Sequence, residues 1–324
     1  MQRPHYSFVI PCYRSEHTVT AVIAEIERTM EARPETAYEI IAVSDCSPDN
    51  VIGVLKDRAR RDPRVTAVEL ARNMGRICAI MAGFSLVRGD LVVVNDDDGQ
   101  CPVDRVFELE AALADDKDVA IADYPVKKQS AFKNFGSAVN AKMTCYVLDK
   151  PADLHFTNFM MLRRYIVDEI VRYENPYPYM TGLILRTTSV QRIVNVPMEE
   201  RERASGTTGY TFGKMFALWL NGLTAFSVKP LRVATLVGAV TALLGFLWGA
   251  YTVLRKLIDP GRVLAGYSSL LAVVLFVGGI LMLMLGLLGE YIGRSYISIN
   301  RSPQYVIRGV FRGEEEAPSD GSGR

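Results

Sequence analysis

Short apolar runs alternate with amphipathic segments over residues 7–122. Five runs are rich in Val, Ile and Leu, which predicts strands buried on both faces; they are residues 7–11, 38–43, 65–70, 91–95 and 119–122. Between them, apolar residues recur at helical spacing, which predicts helices at about residues 18–32, 51–61, 77–87 and 102–113. This alternation predicts an α/β domain with a doubly wound, mostly parallel sheet.

The hydrophobic pattern changes in the last third of the chain. Residues 233–254 and 263–289 contain no Asp, Glu, Lys or Arg, and each run is longer than the roughly 20 residues that cross a bilayer core. We therefore expect two transmembrane helices, at about 233–254 and 264–289, which form a hairpin within residues 233–293; a pair of buried core helices is the alternative. Basic residues on both outer flanks favour a cytoplasmic N-terminal domain and tail in the plasma membrane.

Two segments flank this hairpin. Residues 212–232 place apolar side chains at helical spacing, which predicts either an amphipathic helix at the membrane interface or a helix packed on the domain. Residues 294–324 follow as a cytoplasmic tail, and its Glu, Pro and Gly content predicts disorder after Gly313. The N-terminal domain is expected to cover residues 1–211.

Polar residues follow the predicted strands at their carboxyl ends, where open α/β sheets bind ligands. Asp45 follows the second strand, Arg72 and Asn73 follow the third, and three acids from Asp96 to Asp98 follow the fourth. Side chains alternate along an extended segment, so Asp96 and Asp98 should face one way and Asp97 another. With Gln100, the two carboxylates suit Mg²⁺ or Mn²⁺; a solvated acidic turn is the alternative.

Composition excludes several other classes of site. The net charge of +1 argues against nucleic-acid binding as the main task. The five cysteines and three histidines are scattered, so no zinc cluster is expected, and no histidine is expected in the site. The chain has neither a Gly-x-Gly-x-x-Gly fingerprint nor a P-loop, so metal and basic residues would have to hold a diphosphate.

Five motifs occur in one order. They are Val9-Ile10-Pro11-Cys12-Tyr13, Ser44-Asp45-Cys46-Ser47, Arg72-Asn73-Met74-Gly75-Arg76 with Ala82-Gly83, Gly89-Asp90, and Asp96-Asp97-Asp98-Gly99-Gln100-Cys101-Pro102. Their order and spacing resemble glycosyltransferase family 2, and more narrowly the polyprenyl-phosphate glycosyltransferases related to dolichol-phosphate mannose synthase, in the bacterial form with two C-terminal membrane helices. The resemblance implies a GT-A fold, a divalent metal, and inverting transfer of one sugar from a UDP- or GDP-linked donor to polyprenyl (undecaprenyl) phosphate.

The resemblance also implies roles for individual residues. The expected nucleotide-sugar contacts are Pro11, Tyr13, Glu16, Asp45, Arg72, Asn73, Arg76 and Asp96; the metal positions are Asp96, Asp98 and Gln100; the lipid-phosphate contacts are Lys133, Ser137, Arg203 and Thr208; and the catalytic residues are Asp96, Asp98 and Arg203. Solvated lysines and an ordinary surface loop are the alternatives for the lipid-phosphate set. The family usually has Leu at Gly99 and Gly at Cys46.

A further departure concerns the stretch where the family has Asp-Phe-Arg-Leu-Met. Asn158 and Met160 stand here in place of the acid and the arginine, so we expect no general base from this stretch. A phosphate monoester is mostly dianionic near neutral pH, since its second pKa is about 6, and it can attack without losing a proton. The bilayer and the two substrates are the expected partners, and a homo-oligomer, a silent membrane scaffold and a polysaccharide synthase remain alternatives.

Overall fold

The computed structural model describes residues 4–114, 116–124, 150–199, 201, 267–299, 302–313 and 315–317, together with scattered positions between 236 and 258. The chain divides into two compact units. One consists of Met1–Thr211 with Arg301–Arg324, and the other of Phe212–Asn300. The predicted amphipathic segment at 212–232 lies outside the described residues.

The first unit is built on a nine-stranded mixed sheet. Its strands are β1 (Tyr6–Cys12), β2 (Tyr38–Ser44), β3 (Val65–Leu70), β4 (Leu91–Val94), β5 (Val119–Asp123), β6 (Met160–Arg163), β7 (Ile193–Pro197), β8 (Ile307–Arg312) and β9 (Glu315–Ala317). Their order across the sheet is β7-β5-β6-β4-β1-β2-β3-β8-β9. Strands β1 to β4 pair in parallel, as do β5 and β7, whereas β6 and β8 run antiparallel to their neighbours.

Helices connect the strands. They are α1 (Val19–Met30), α2 (Val51–Arg61), α3 (Arg76–Phe84), α4 (Val106–Ala112), α5 (Arg164–Val171) and α6 (Met180–Thr187), with short 3-10 turns at Val103–Arg105 and Val190–Arg192. All five predicted strands and all four predicted helices are present, with ends that move by a few residues. The predicted fold class, an α/β domain with a mostly parallel sheet, is confirmed.

Burial explains why the central strand reads as an unbroken apolar run. Every residue of β1 is buried because helices cover both faces and strands flank both sides. Phe8 and Ile10 on one face pack in the same core cluster as Ile23 of α1, and each such side chain contributes roughly 1.5–3 kcal/mol by leaving water. On the other face α3 approaches closely at Gly83, where a Cβ atom would lie 2.4 Å from Cγ1 of Val9.

At the edge where the parallel strands begin, charged side chains are paired. Glu39, only 2% exposed, accepts hydrogen bonds from the Ser7 hydroxyl at 2.6 Å and from Nε of Arg88 at 2.8 Å. The backbone amide of Arg88 binds the same carboxylate at 2.7 Å. This network fastens the turn before β4 to the starts of β1 and β2.

The sheet is wider than the sequence predicts. Strand β8 lies in the segment at residues 294–324 that the sequence predicts to be a tail, and it pairs antiparallel with β3. The edge of β3 would otherwise carry unpaired amides and carbonyls, and Phe311 of β8 packs against the core. Residues 315–317, inside the segment predicted to be disordered, form β9. The sequence analysis also missed β6 and β7; β6 is as short as β4, but it contains Met and Leu where β4 contains Val.

The second unit contains one helix, among the described residues, that is long and apolar enough to cross a membrane. This helix, α7 (Tyr267–Ile299), contains the window Phe276–Gly293, whose mean hydropathy is 1.8. It corresponds to the predicted span at 264–289 but continues for ten residues beyond it. The described positions between 236 and 258, in and just after the first predicted span, are all helical.

Candidate active site

The loops that follow β1, β2, β3 and β4 meet at one edge of the sheet, because these four strands run parallel. The predicted nucleotide and metal residues lie on these loops. The described members are Pro11, Tyr13, Glu16, Asp45, Arg72, Asn73, Arg76, Asp96, Asp98 and Gln100. Lys133, Ser137, Arg203 and Thr208, the predicted lipid-phosphate set, lie outside the described residues.

Asp96 connects three elements at this edge. Its Oδ1 accepts hydrogen bonds from Nε of Arg76 at 2.8 Å, and the Arg76 Nη2 lies 2.7 Å from the same oxygen. Its Oδ2 accepts a hydrogen bond from Nδ2 of Asn158 at 2.7 Å. The first residue of α3 and the segment before β6 are thereby held to the end of β4. Asn158, which the sequence suggested only as a lost acid, is thus a neighbour of the predicted metal ligand.

Asp97 binds a different loop from Asp96. Its Oδ2 accepts a hydrogen bond from the backbone amide of Tyr13 at 2.9 Å, which ties the loop after β1 to the loop after β4. Burial raises the pKa of the Asp97 carboxyl above its usual value, against the opposing effect of hydrogen bonds from Ser15 and Tyr13. Asp97 is therefore a positioning residue that the sequence did not identify.

Asp98 and Gln100 form a tight turn. Oδ1 of Asp98 accepts a hydrogen bond from the Gln100 amide at 3.1 Å. Gly99 between them has φ 77°, a backbone conformation that glycine adopts without strain. A residue with a side chain would be strained in this conformation, so the glycine, which stands where the family usually has Leu, suits the turn seen here.

Arg201 reaches the same turn from a distant part of the chain. Its backbone amide donates to the Gln100 carbonyl at 3.1 Å, and its carbonyl accepts from Nε2 of Gln100 at 3.4 Å. Its guanidinium binds Glu25 and Asp104, so two carboxylates hold it in place. This contact was not predicted, because only the next arginine, Arg203, matched the family motif.

Asp45 shapes the loop after β3. Its carboxylate oxygens accept hydrogen bonds from the backbone amides of Met74 and Gly75, both at 2.8 Å, and the residue is 3% exposed. Burial raises the pKa of the Asp45 carboxyl, and the two amide hydrogen bonds oppose that shift. Asp45 therefore holds the loop that presents the exposed side chains of Arg72 and Asn73, a role additional to the expected base contact.

The loops after β1 and β2 are joined to each other. Glu16 accepts a hydrogen bond from the Asn50 amide at 3.1 Å and donates its own amide to Asp49 at 2.9 Å. Arg14 and Cys46 have φ values of 57° and 48°, which are uncommon for residues with a side chain. Such strained positions concentrate at functional sites. Pro11 is buried within β1, whereas Tyr13 is 44% exposed.

The donor set at this edge fits a hard divalent cation. Mg²⁺ is usually held by one or two carboxylates together with substrate phosphates and water. The carboxylates of Asp96 and Asp98 and the amide oxygen of Gln100 are such ligands, and a carboxylate oxygen that accepts one hydrogen bond keeps further acceptor capacity. Among the described residues, no three or more His, Cys, Asp or Glu side chains converge as a ready-made cage.

One histidine does lie at this edge, contrary to expectation. Nδ1 of His155 is 2.9 Å from Oδ1 of Asp123, the last residue of β5. His155 precedes Asn158 by three residues, and Thr157 between them donates a hydrogen bond to the Ala122 carbonyl at 2.6 Å. Periodicity could not place this segment, because it has no regular secondary structure.

Known proteins with similar sequences share both units. Residues 7–171 match the family model described as glycosyl transferase family 2, and residues 229–295 match the GtrB C-terminal hairpin. The chain is 30% identical to a prophage bactoprenol glucosyl transferase homolog of Escherichia coli (strain K12), over 94% of this chain and 98% of that protein. It is 32% identical to the undecaprenyl-phosphate 4-deoxy-4-formamido-L-arabinose transferase of Klebsiella pneumoniae subsp. pneumoniae, over 97% and 96%.

A solved structure with a similar fold is glucosyl-3-phosphoglycerate synthase from Mycobacterium tuberculosis in complex with Mn²⁺, UDP-glucose and phosphoglyceric acid. The TM-score is 0.50 at 15% identity, and the match covers 69% of this chain and 79% of that one. At this identity the likeness concerns the GT-A-like fold alone. The first family model matches half of the chain, and the alignment with the Klebsiella relative covers nearly all of both proteins. The chain therefore belongs to glycosyl transferase family 2 and is a glycosyltransferase.

Proposed function

We propose that this glycosyltransferase moves one sugar from a UDP- or GDP-linked donor to a polyprenyl phosphate such as undecaprenyl phosphate. The reaction inverts the configuration at the anomeric carbon of the sugar and uses Mg²⁺ or Mn²⁺. The proposal rests on one observation: nearly the whole chain aligns with relatives named as undecaprenyl-phosphate and bactoprenol sugar transferases. That likeness covers 97% of the chain in one case, and so includes both the strand-end loops and the C-terminal hairpin.

The donor is proposed to lie along the loops after β1 to β4. Arg72 and Asn73 are exposed at the tip of the loop held by Asp45, and Tyr13 is exposed on the loop held by Asp97. Arg76 offers a guanidinium at the end of β4, where it binds Asp96. Guanidinium groups suit diphosphates because they donate two parallel hydrogen bonds.

The cation would be held by Asp96, Asp98 and Gln100. When bound, it neutralises negative charge on the leaving nucleoside diphosphate. The chain's own residues fix the loops, orient the donor and add cationic charge through Arg76. Because a dianionic phosphate acceptor needs no base, positioning of the two substrates supplies much of the catalysis.

The acceptor is proposed to meet Lys133, Ser137, Arg203 and Thr208. This proposal is supported by the order of the chain, because residues 133–137 and 203–208 lie between the donor loops and the predicted membrane helices. Arg201, two residues before Arg203, binds the turn at Gln100. The unit at 212–300 would anchor the enzyme in the plasma membrane, with the catalytic domain and the tail on the cytoplasmic side, where nucleotide sugars are made.

The direct test is an assay of the purified full-length protein with undecaprenyl phosphate and a panel of UDP- and GDP-sugars. We expect one donor to yield a lipid-linked monosaccharide, activity to vanish in EDTA, and Mg²⁺ or Mn²⁺ to restore it. Absence of transfer with every donor, while the protein stays folded and binds a nucleotide, would favour the scaffold alternative. Formation of longer glycans on one lipid would favour a polysaccharide synthase.

The location has its own test. Single cysteines introduced near Asp259 should react with an impermeant thiol reagent added outside whole cells, and cysteines near Ser319 should not. The reverse pattern would contradict a cytoplasmic active site.

A further inference from the structure

His155 is held in a fixed position at the carboxyl edge of the sheet. Asn195 of β7 binds its backbone on both sides, because Oδ1 accepts from the His155 amide and Nδ2 donates to its carbonyl, both at 2.8 Å. Asp123 fixes the ring through the 2.9 Å contact at Nδ1. An ionised carboxylate only accepts hydrogen bonds, so Nδ1 carries the proton. Nε2 has no hydrogen-bond partner among the residues that the structure describes, and the side chain is 52% exposed.

An exposed ion pair alone contributes little to stability. The backbone clamp by Asn195 distinguishes this pair, since it fixes where Nε2 stands. Three contacts therefore position an imidazole whose second nitrogen faces outward.

The order of the strands places this imidazole relative to the proposed donor. Asp96 follows β4, and the next strands across the sheet are β6 and then β5, which ends at Asp123. Strands lie about 4.8 Å apart, so the ends of β4 and β5 are about 10 Å apart. In an inverting transfer the acceptor attacks from the side opposite the leaving diphosphate. If the diphosphate lies at β4, the sugar lies beside β6 and the attacking phosphate lies beside β5.

Besides the carboxylate of Asp123, the ammonium group of Lys150 lies close to the backbone before His155 and can attract an anion. Lys150 donates hydrogen bonds to the carbonyls of Pro151 and Leu154, immediately before His155. Among the described residues its partners are carbonyl oxygens, which leave its positive charge in place. When both ring nitrogens carry protons, Nε2 is a hydrogen-bond donor as well as Nδ1.

We propose that His155, oriented by Asp123 and Asn195, donates a hydrogen bond from Nε2 to the phosphate of the lipid acceptor and so positions it for attack. This inference rests on the proposed function and deepens it. Asp123 and Asn195 act through His155 and are positioning residues.

Two substitutions separate this role from a structural one. His155→Asn keeps an amide nitrogen near Nδ1, where it can still bind Asp123, and removes the group at Nε2. His155→Gln places an amide nitrogen near Nε2 and loses the contact with Asp123. If Nε2 contacts the acceptor, the Gln variant retains function better than the Asn variant; if the ring serves only to hold Asp123, the order is reversed.

The experiment measures steady-state transfer with full-length protein in detergent, varying undecaprenyl phosphate and the nucleotide sugar separately. We expect His155→Asn to raise KM for the lipid phosphate about tenfold, as for one lost charge-assisted hydrogen bond, with KM for the donor and the Tm unchanged. His155→Gln should stay within about threefold of wild type. His5→Asn is the matched control, since His5 lies near Asp90 and Glu110, both at 3.6 Å, at the opposite edge of the sheet.

Three results would overturn the inference. They are wild-type kinetics in His155→Asn, a change in KM for the donor rather than the acceptor, and a Gln variant weaker than the Asn variant. Each leaves the proposed function intact, because wild-type protein still transfers sugar to the lipid. Failure of the wild type with every polyprenyl phosphate would instead refute the proposed function.

Discussion

Two pairs of carboxyl groups at opposite edges of the same sheet have pKa values shifted in opposite directions. Where the parallel strands begin, burial would raise the pKa values of Asp62 and Glu110, but hydrogen bonds from Arg64 to the first, and from Tyr6 and Arg33 to the second, lower both below their usual values. Where the strands end, burial raises the pKa values of Asp45 and Asp97, and hydrogen bonds from backbone amides and Ser15 do not reverse it. Asp62 and Glu110 each have an arginine partner, whereas the hydrogen bonds named for Asp45 and Asp97 come from neutral groups. At Asp49, also at the carboxyl edge, burial would raise the pKa of the carboxyl, but hydrogen bonds from Ser47 and backbone amides outweigh it and lower that pKa.

These opposite shifts have opposite consequences for stability. Asp62 and Glu110 stabilise the fold at neutral pH, and that contribution is lost as the pH falls below their usual pKa values and through the lowered ones. Asp45 and Asp97 destabilise the fold at neutral pH, and that cost disappears as the pH falls through their raised pKa values. Because selection for stability alone would not keep such groups, these two carboxylates support placing the candidate site at this edge.

The largest expected effect is on chemistry at the carboxyl edge. Asp98→Ala should lower kcat/KM for transfer by a factor on the order of 10² to 10³, because the proposed cation loses a ligand. The Tm should change by no more than about 2 °C, since Asp98 is only partly buried and lies outside the hydrophobic core. Radiolabelled sugar transfer and a thermal scan in detergent measure both quantities. A large fall in Tm would show that Asp98 supports the fold instead.

The next effect belongs to the opposite edge. Arg88→Met should destabilise the domain by about 3 kcal/mol, because Glu39 stays buried without its cationic partner. For a domain of this size the Tm should fall by roughly 10 °C. The protein that remains folded should keep wild-type KM values for both substrates.

The double variant Glu39→Gln with Arg88→Met is the control for that pair. It removes the buried charge together with its partner and should recover part of the lost Tm. If Arg88→Met changed KM and left the Tm unaltered, the division between a stabilising edge and a functional edge would fail.

Asp45→Asn should have an intermediate effect. An amide has one acceptor oxygen, so it cannot accept hydrogen bonds from Met74 and Gly75 through both side-chain atoms as the carboxylate does. The loop that carries Arg72 and Asn73 should then shift, and KM for the nucleotide sugar should rise about tenfold. Titration of donor binding by calorimetry checks this; an unchanged affinity would mean that the loop keeps its shape without Asp45.

The smallest effect is expected at Asp97. Asp97→Asn keeps an oxygen for the Tyr13 amide, so donor KM should change less than about threefold. It removes a carboxylate whose pKa is raised by burial, so the Tm should rise by roughly 1–2 °C at neutral pH. The difference in Tm between the variant and the wild type should disappear as the pH falls, because the wild-type carboxyl then also becomes neutral. Loss of transfer as severe as in Asp98→Ala would contradict the different roles assigned to Asp97 and Asp98.

The sequence predicted the strands that are buried on both faces, because an unbroken apolar run as short as that of β4, with polar residues at both ends, is typical of such a strand. Asp96 and Asp97 bind different loops, but strand alternation does not explain this, because β4 ends at Val94 and Asp97 and Asp98 lie in a turn. Strand β6 was missed because its apolar residues are Met and Leu, which favour strands less than the Val residues of β4 do. Strand β8 escaped because its faces are only partly buried and its partner, β3, lies more than 200 residues earlier in the chain.

In the candidate site, too, the sequence identified single residues but not the contacts between distant parts of the chain. Motif likeness identified Asp45 and Asp96, but not that Asp45 binds the backbone of Met74 and Gly75 or that Asp96 binds Asn158. These contacts join residues 29 to 62 positions apart, and no local pattern encodes them. His155 escaped for a similar reason, since its partners Asp123 and Asn195 are each more than 30 residues away.

The pairing of β8 with β3 has a consequence for the order in which the protein is made. During synthesis the first seven strands leave the ribosome before the C-terminal hairpin at residues 229–295, and β8 leaves after it. The outer edge of β3 therefore stays open until residues 307–312 have been made, and an open strand edge is prone to pair with other chains. A gene that ends before the hairpin would encode a sheet lacking its last two strands. Soluble versions of this enzyme should consequently be built by joining β8 and β9 back onto the domain, not by truncation.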